Sequence, residues 1–168
     1  MGIQRYSASI DTTITNAYQM NLTTRATGAN MGLADTLETF SIYGQQASAS
    51  SELTRILIKF PVSGATSSIG ADRDAGSIPA SGSVDFYLRM HNAKHAFTVP
   101  KNFNLNISAV SRSWEEGHGL DMDNYQDLTY DDTGATWTRA ASGSTAATLI
   151  DAIDCQGLAQ NDAFTMTV

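Results

Sequence analysis

Val84-Asp85-Phe86-Tyr87-Leu88-Arg89-Met90-His91 and, after a loop, Phe103-Asn104-Leu105-Asn106-Ile107-Ser108-Ala109 both alternate apolar with polar side chains at period two. Alternation of this kind puts one face of a strand into a core and the other into water. Val84, Phe86, Leu88 and Met90 form one such face; Phe103, Leu105, Ile107 and Ala109 form another. Two half-buried strands predict a packed sheet, which makes the chain an all-β one.

Upstream, Leu53-Thr54-Arg55-Ile56-Leu57-Ile58-Lys59-Phe60-Pro61 is the most β-prone window, and Pro61 ends it. It reads as a central strand. Thr36 to Gly44 reads as a further strand closed by glycine, and Tyr6 to Thr24, rich in Thr and Ser, as an edge strand or arm. Val62 to Ser83 is too polar for core and long for a simple connection, so it reads as an interacting loop. A second irregular segment follows Trp114. Ser142 to Thr145 reads as a turn, and Thr148 to Ile153 as a strand or a short helix, with strand preferred. The closing alternation of Phe164, Met166 and Val168 predicts a last strand that is either tied into a sheet or leads into a longer product.

The chain has 168 residues, 42% of them hydrophobic, enough for one domain spanning 1–168 with its own core. A single cysteine, Cys155, excludes an intrachain disulfide framework and reads as a buried thiol. The opening residues lack an apolar run of signal-peptide or membrane-span length, which fits a soluble protein made in a cytoplasm. With a net charge of −7 and 10 dispersed Lys and Arg, nucleic acid is an unfavourable partner, because duplex affinity comes from neutralising phosphates. Only 16% of residues are charged, so much of the surface must be neutral and polar.

Candidate chemistry is sparse. Asp121, Asp123, Asn124, Asp127, Asp131 and Asp132 are dense oxygen donors of the kind calcium takes. Counting from Asp121, Gln126 stands where a calcium-binding EF-hand loop needs glycine and Asp132 where it needs Glu, so the segment reads as a solvated acidic loop. His91 and His95 lack the adjoining Glu of a zinc-protease motif, and His118 lies in a Gly117-His118-Gly119 turn. Glu115 and Glu116 adjoin Trp114, but neighbours on an extended chain face opposite ways and cannot flank one glycosidic bond. Phosphate-binding loops and nucleophile elbows are missing from the sequence. Trp114, Tyr125, Tyr130 and Trp137 could form a sugar platform or pack at a protein interface. The sequons at Asn21 and Asn106 carry little weight without a secretory signal.

The order of four motifs carries a resemblance. These are Arg55-Ile56-Leu57-Ile58-Lys59-Phe60-Pro61, Ile78 to Leu88, Val110-Ser111-Arg112-Ser113-Trp114-Glu115-Glu116-Gly117, and Thr133-Gly134-Ala135-Thr136-Trp137. Together they resemble the DNRLRE-type jelly-roll domain over most of the chain, although the hexapeptide that names the family is not legible here. Ser41 to Phe60, Phe86 to Ala93 and Ser111 to Asp132 also resemble uncharacterised virion structural proteins of tailed, chiefly marine, bacteriophages. The resemblance implies an antiparallel, jelly-roll-like β-sandwich acting as a non-enzymatic virion component assembled in the host cytoplasm, above all a capsid decoration or head-stabilising protein. Its implied partners are the major capsid protein or neighbouring head or tail subunits, and further copies of itself. It implies neither cofactor nor metal, and no nucleic-acid or membrane contact. The alternative is a carbohydrate-binding or adhesive module of a phage fibre or cell-surface protein.

Overall fold

The computed structural model describes residues 3–43, 50–79, 83–94, 105–108, 110, 112–121, 133–143 and, for the backbone, 165–167. Five strands and one short helix follow in order: β1 (Ile10–Thr15), β2 (Ser41–Tyr43), β3 (Ser51–Lys59), α1 (Ile69–Asp74), β4 (Tyr87–Arg89) and β5 (Thr165–Thr167). The described chain is thus mostly β, with almost no helix. Cys155, Tyr125, Tyr130 and the Thr148 to Ile153 segment lie outside the described residues.

β3 is the centre of an antiparallel sheet of order β1-β3-β2, as its β-branched, apolar sequence predicts. The register pairs Thr12 with Leu57 and Ile14 with Arg55 on one face. Onto that face pack Trp114, Ala135, Trp137 and Ala140, which with Ile14 and Leu57 form the core. The Arg55 guanidinium lies over the Trp137 ring, 4.8 Å from its centroid, which covers an aromatic face with a cation instead of water.

β1 lies at the side of this sheet, yet Thr12, Thr13 and Thr15 are buried as completely as Ile14. Partners on the backbone offset the loss of water at these hydroxyls. Thr15 donates to the Leu53 carbonyl, and Thr13 accepts from the Glu38 amide. Thr54 accepts in the same way from Phe40, so residues 38–40 are fastened by side chains before β2 begins. The expected strand over Thr36 to Gly44 is accordingly only three residues long where it is described.

The alternation of the opening motif survives in part. Val84, Leu88 and Met90 are half-buried and Asp85, Tyr87, Arg89 and His91 exposed, but Phe86 faces water with them. β4 pairs in parallel with β5, far along the chain, so the expected antiparallel arrangement holds for the first sheet and not for this pair. The described residues 105–108 and 110 form no strand. Val62 to Ser83, expected as an interacting loop, contains α1: Ser68 caps its start by accepting from the Ala71 amide, and the helix buries no residue of its own.

Replacing Ile14 by Ala should cost about 3 kcal/mol, because the side chain is fully enclosed, whereas Val62→Ala, on an exposed side chain, should stay within about 0.5 kcal/mol. Urea denaturation of the two variants checks the contrast.

Candidate functional site

The polar centre of the molecule is Asn30. Its Nδ2 donates to the Glu116 carbonyl at 2.8 Å and to the Ala135 carbonyl at 2.9 Å. Its Oδ1 accepts from the Gly119 amide at 2.7 Å and from the Gly32 amide at 3.2 Å. The backbone joins in, with the Asn30 amide donating to Asp121 Oδ2 at 2.8 Å and the Asp121 amide returning a bond to the Asn30 carbonyl at 3.2 Å. Three segments, 30–33, 116–121 and 134–136, are thereby joined around one amide.

Glycine makes the approach feasible. Gly117 has φ +84°, and a Cβ there would collide with the Asn30 side chain. A Cβ at Gly134 would likewise strike the Gly117 backbone. The same segments run onward into the core. The Ala135 amide donates to the Glu115 carbonyl and the Glu115 amide to the Ala140 carbonyl, which holds Trp114 and Trp137 inward.

Position alone decides several of the chemical alternatives that the residue types leave open. Trp114 is 9% exposed and Trp137 7%, so neither offers a ring face to a sugar. Glu115 accepts from the Ser142 amide and Glu116 from the Asp11 amide, so the adjacent carboxylates reach different segments. Asp121, expected in a solvated acidic loop, is 1% exposed and bonded to Asn30. Its Oδ1 makes no hydrogen bond, but one buried carboxylate oxygen is not a metal site. Among the described residues no group of three His, Cys, Asp or Glu side chains could hold a metal ion, and no helix is long and apolar enough to cross a membrane. His91 and His118 are exposed, and His95 and the remaining acidic residues of the segment lie outside the described residues.

One carboxylate pair is electrostatically active. Glu116 Oε1 accepts the Asp11 amide at 2.9 Å, which occupies one backbone donor of β1. Burial first, and the charge of Glu116 second, push the Asp11 carboxyl above its ordinary value of 3.8.

Several apolar side chains remain outward. Leu33 and Leu120 are 57% and 60% exposed, although the Leu33 amide is bonded to the Gly119 carbonyl beside the junction. Ile42 and Tyr43 on β2 and Tyr87 on β4 are also exposed. No family model, no curated protein and no solved structure matches this chain.

Asn30→Ala should destabilise by about 3 kcal/mol, since a buried carbonyl, a buried amide and two part-buried backbone groups lose their partner together. Asn30→Asp should do no better, because an acceptor then faces the Glu116 and Ala135 carbonyls; denaturation midpoints test both. Asp11 gives a pH dependence of definite sign. A folded-state value above the unfolded one means its contribution is complete below pH 3.8 and is lost as pH rises through the raised value. Asp11→Asn should therefore stabilise by about 0.5 kcal/mol at pH 7, the scale of a partly solvated like-charge pair, and by nothing below pH 3.8. Parallel urea titrations at about pH 3.5 and pH 7 measure the difference.

Proposed function

We propose that this chain is a non-enzymatic structural component of a tailed-phage virion, a capsid decoration or head-stabilising subunit built as a jelly-roll-like β-sandwich. The observation that carries the reading is where the resemblance motifs go. Trp114, Gly117, Gly134 and Trp137, the residues that make the chain look like that domain, enclose the core or pack round Asn30. They serve to hold the fold, while apolar side chains at Leu33, Ile42, Tyr43, Tyr87 and Leu120 stay exposed. Such residues on several segments suit a subunit that meets neighbours over more than one face.

The partners on this reading are the major capsid protein or neighbouring head or tail subunits, together with further copies of the chain. The carbohydrate-binding alternative loses its two tryptophans to the core. Quantitative mass spectrometry of purified particles should find hundreds of copies of the chain, and a glycan array should stay silent. Absence from particles, or micromolar binding of a defined sugar, would overturn the reading; copies in single figures would move it from head to tail.

A further inference from the structure

Residues 3–9 run from the Lys59 end of β3 to α1. Tyr6 Oη donates to Asp72 Oδ2 at 2.6 Å and Gln4 Nε2 to the same oxygen at 3.0 Å, so two side chains converge on one carboxylate of α1. At the other end the Ser9 amide and hydroxyl both donate to the Lys59 carbonyl, at 2.8 and 3.0 Å. Between these anchors Ser7 and Ala8 are exposed, and Ile3, beyond them, is 81% exposed. Only Tyr6 of this segment is half-buried. The segment therefore contributes nothing to the core and is held by side-chain bonds to a helix that buries none of its own residues.

We propose that residues 3–6 are an exchangeable arm and Asp72 its receptor, so that the arm of one copy docks on Asp72 of a second copy of this chain. Three features support an exchange. The bonds to Asp72 are identical within a chain and between chains, so the choice is governed by local concentration, which dense packing on a particle raises. Charge is complementary, because the arm carries Arg5 and no acid while α1 carries Asp72 and Asp74 against Arg73. Release leaves β1 and its ladder intact, since the hinge at Ser7 and Ala8 precedes the strand. With Ser9 still anchored, Tyr6 sweeps about 10 Å, at roughly 3.3 Å per extended residue, so the acceptor copy must sit close against the sheet end that carries Lys59.

The arm exchange deepens the structural-subunit reading and rests on it for its setting, but the contact itself is tested with the full chain alone. Tyr6→Phe retains the receptor and loses the arm's hydroxyl; Asp72→Ala retains the arm and loses the receptor. Neither touches the core, because α1 buries no residue and the arm lies outside it. The hydrogen bond to Asp72 holds the Tyr6 phenol up at about 12, which makes it a reporter. With 13C-tyrosine in the Asp72→Ala chain only, Tyr6 should titrate near its ordinary 10. Adding excess unlabelled Tyr6→Phe chain at millimolar concentration should raise it towards 12, and sedimentation should show a species of twice the chain mass. An unmoved titration with both chains monomeric overturns the exchange. That result leaves particle copy number, and so the structural-subunit reading, unaffected.

Discussion

A buried primary amide with two donor hydrogens and two acceptor positions is stabilising only if every one of them is used. Asn30 uses all four, on Glu116, Ala135, Gly119 and Gly32, and its own backbone adds a reciprocal pair with Asp121. The three loop segments that meet there belong to no described strand, so ladder bonds cannot fix them relative to one another. The fully buried Asn30 side chain does so, together with the backbone bonds from Leu33 to Gly119, Asp121 to Asn30 and Ala135 to Glu115. The collisions that any Cβ at Gly117 or Gly134 would produce show how little room the arrangement leaves.

Core packing depends on the same junction. Trp114 enters the core three residues before Gly117, and Trp137 three residues after Gly134. Placing the two glycines around Asn30 therefore sets where both indoles meet Ile14 and Leu57. Glu116 extends the junction in the other direction, since its carbonyl serves Asn30 while its carboxylate serves the Asp11 amide. Loop, core and sheet edge thus meet in one residue. The consequence is a second carboxylate held nearby, which adds to burial in making Asp11 keep its proton more tightly than a free aspartate.

How far the sequence reveals this varies with the kind of force involved. β3 is legible because β-branched residues and a terminating proline act locally. β1 is harder, since threonine composition signals polarity whereas burial depends on whether each hydroxyl finds a distant carbonyl or amide. The small helix α1 is hidden because six residues are too few for a 3.6-residue period to show; its one signal is Ser68 in capping position. Asp121 is the largest departure. Carboxylates in a run suggest solvent, and only the long-range pairing with Asn30 removes this one from it. The spacing Asn30-x-Gly32 opposite Gly117-x-Gly119-x-Asp121 is the signal present, but its meaning lies in contacts across about ninety residues.

A surface built this way has two mechanical grades. Leu33 and Leu120 stand on segments already locked at the junction, so an association that covers them loses little further conformational freedom. Residues 3–9 are the opposite, an exposed segment tied down at its two ends. On the proposed structural-subunit reading, the rigid rim favours one docking geometry over others. The proposed arm exchange adds attachment without redefining that geometry, because its bonds require proximity and not a new fit of the core.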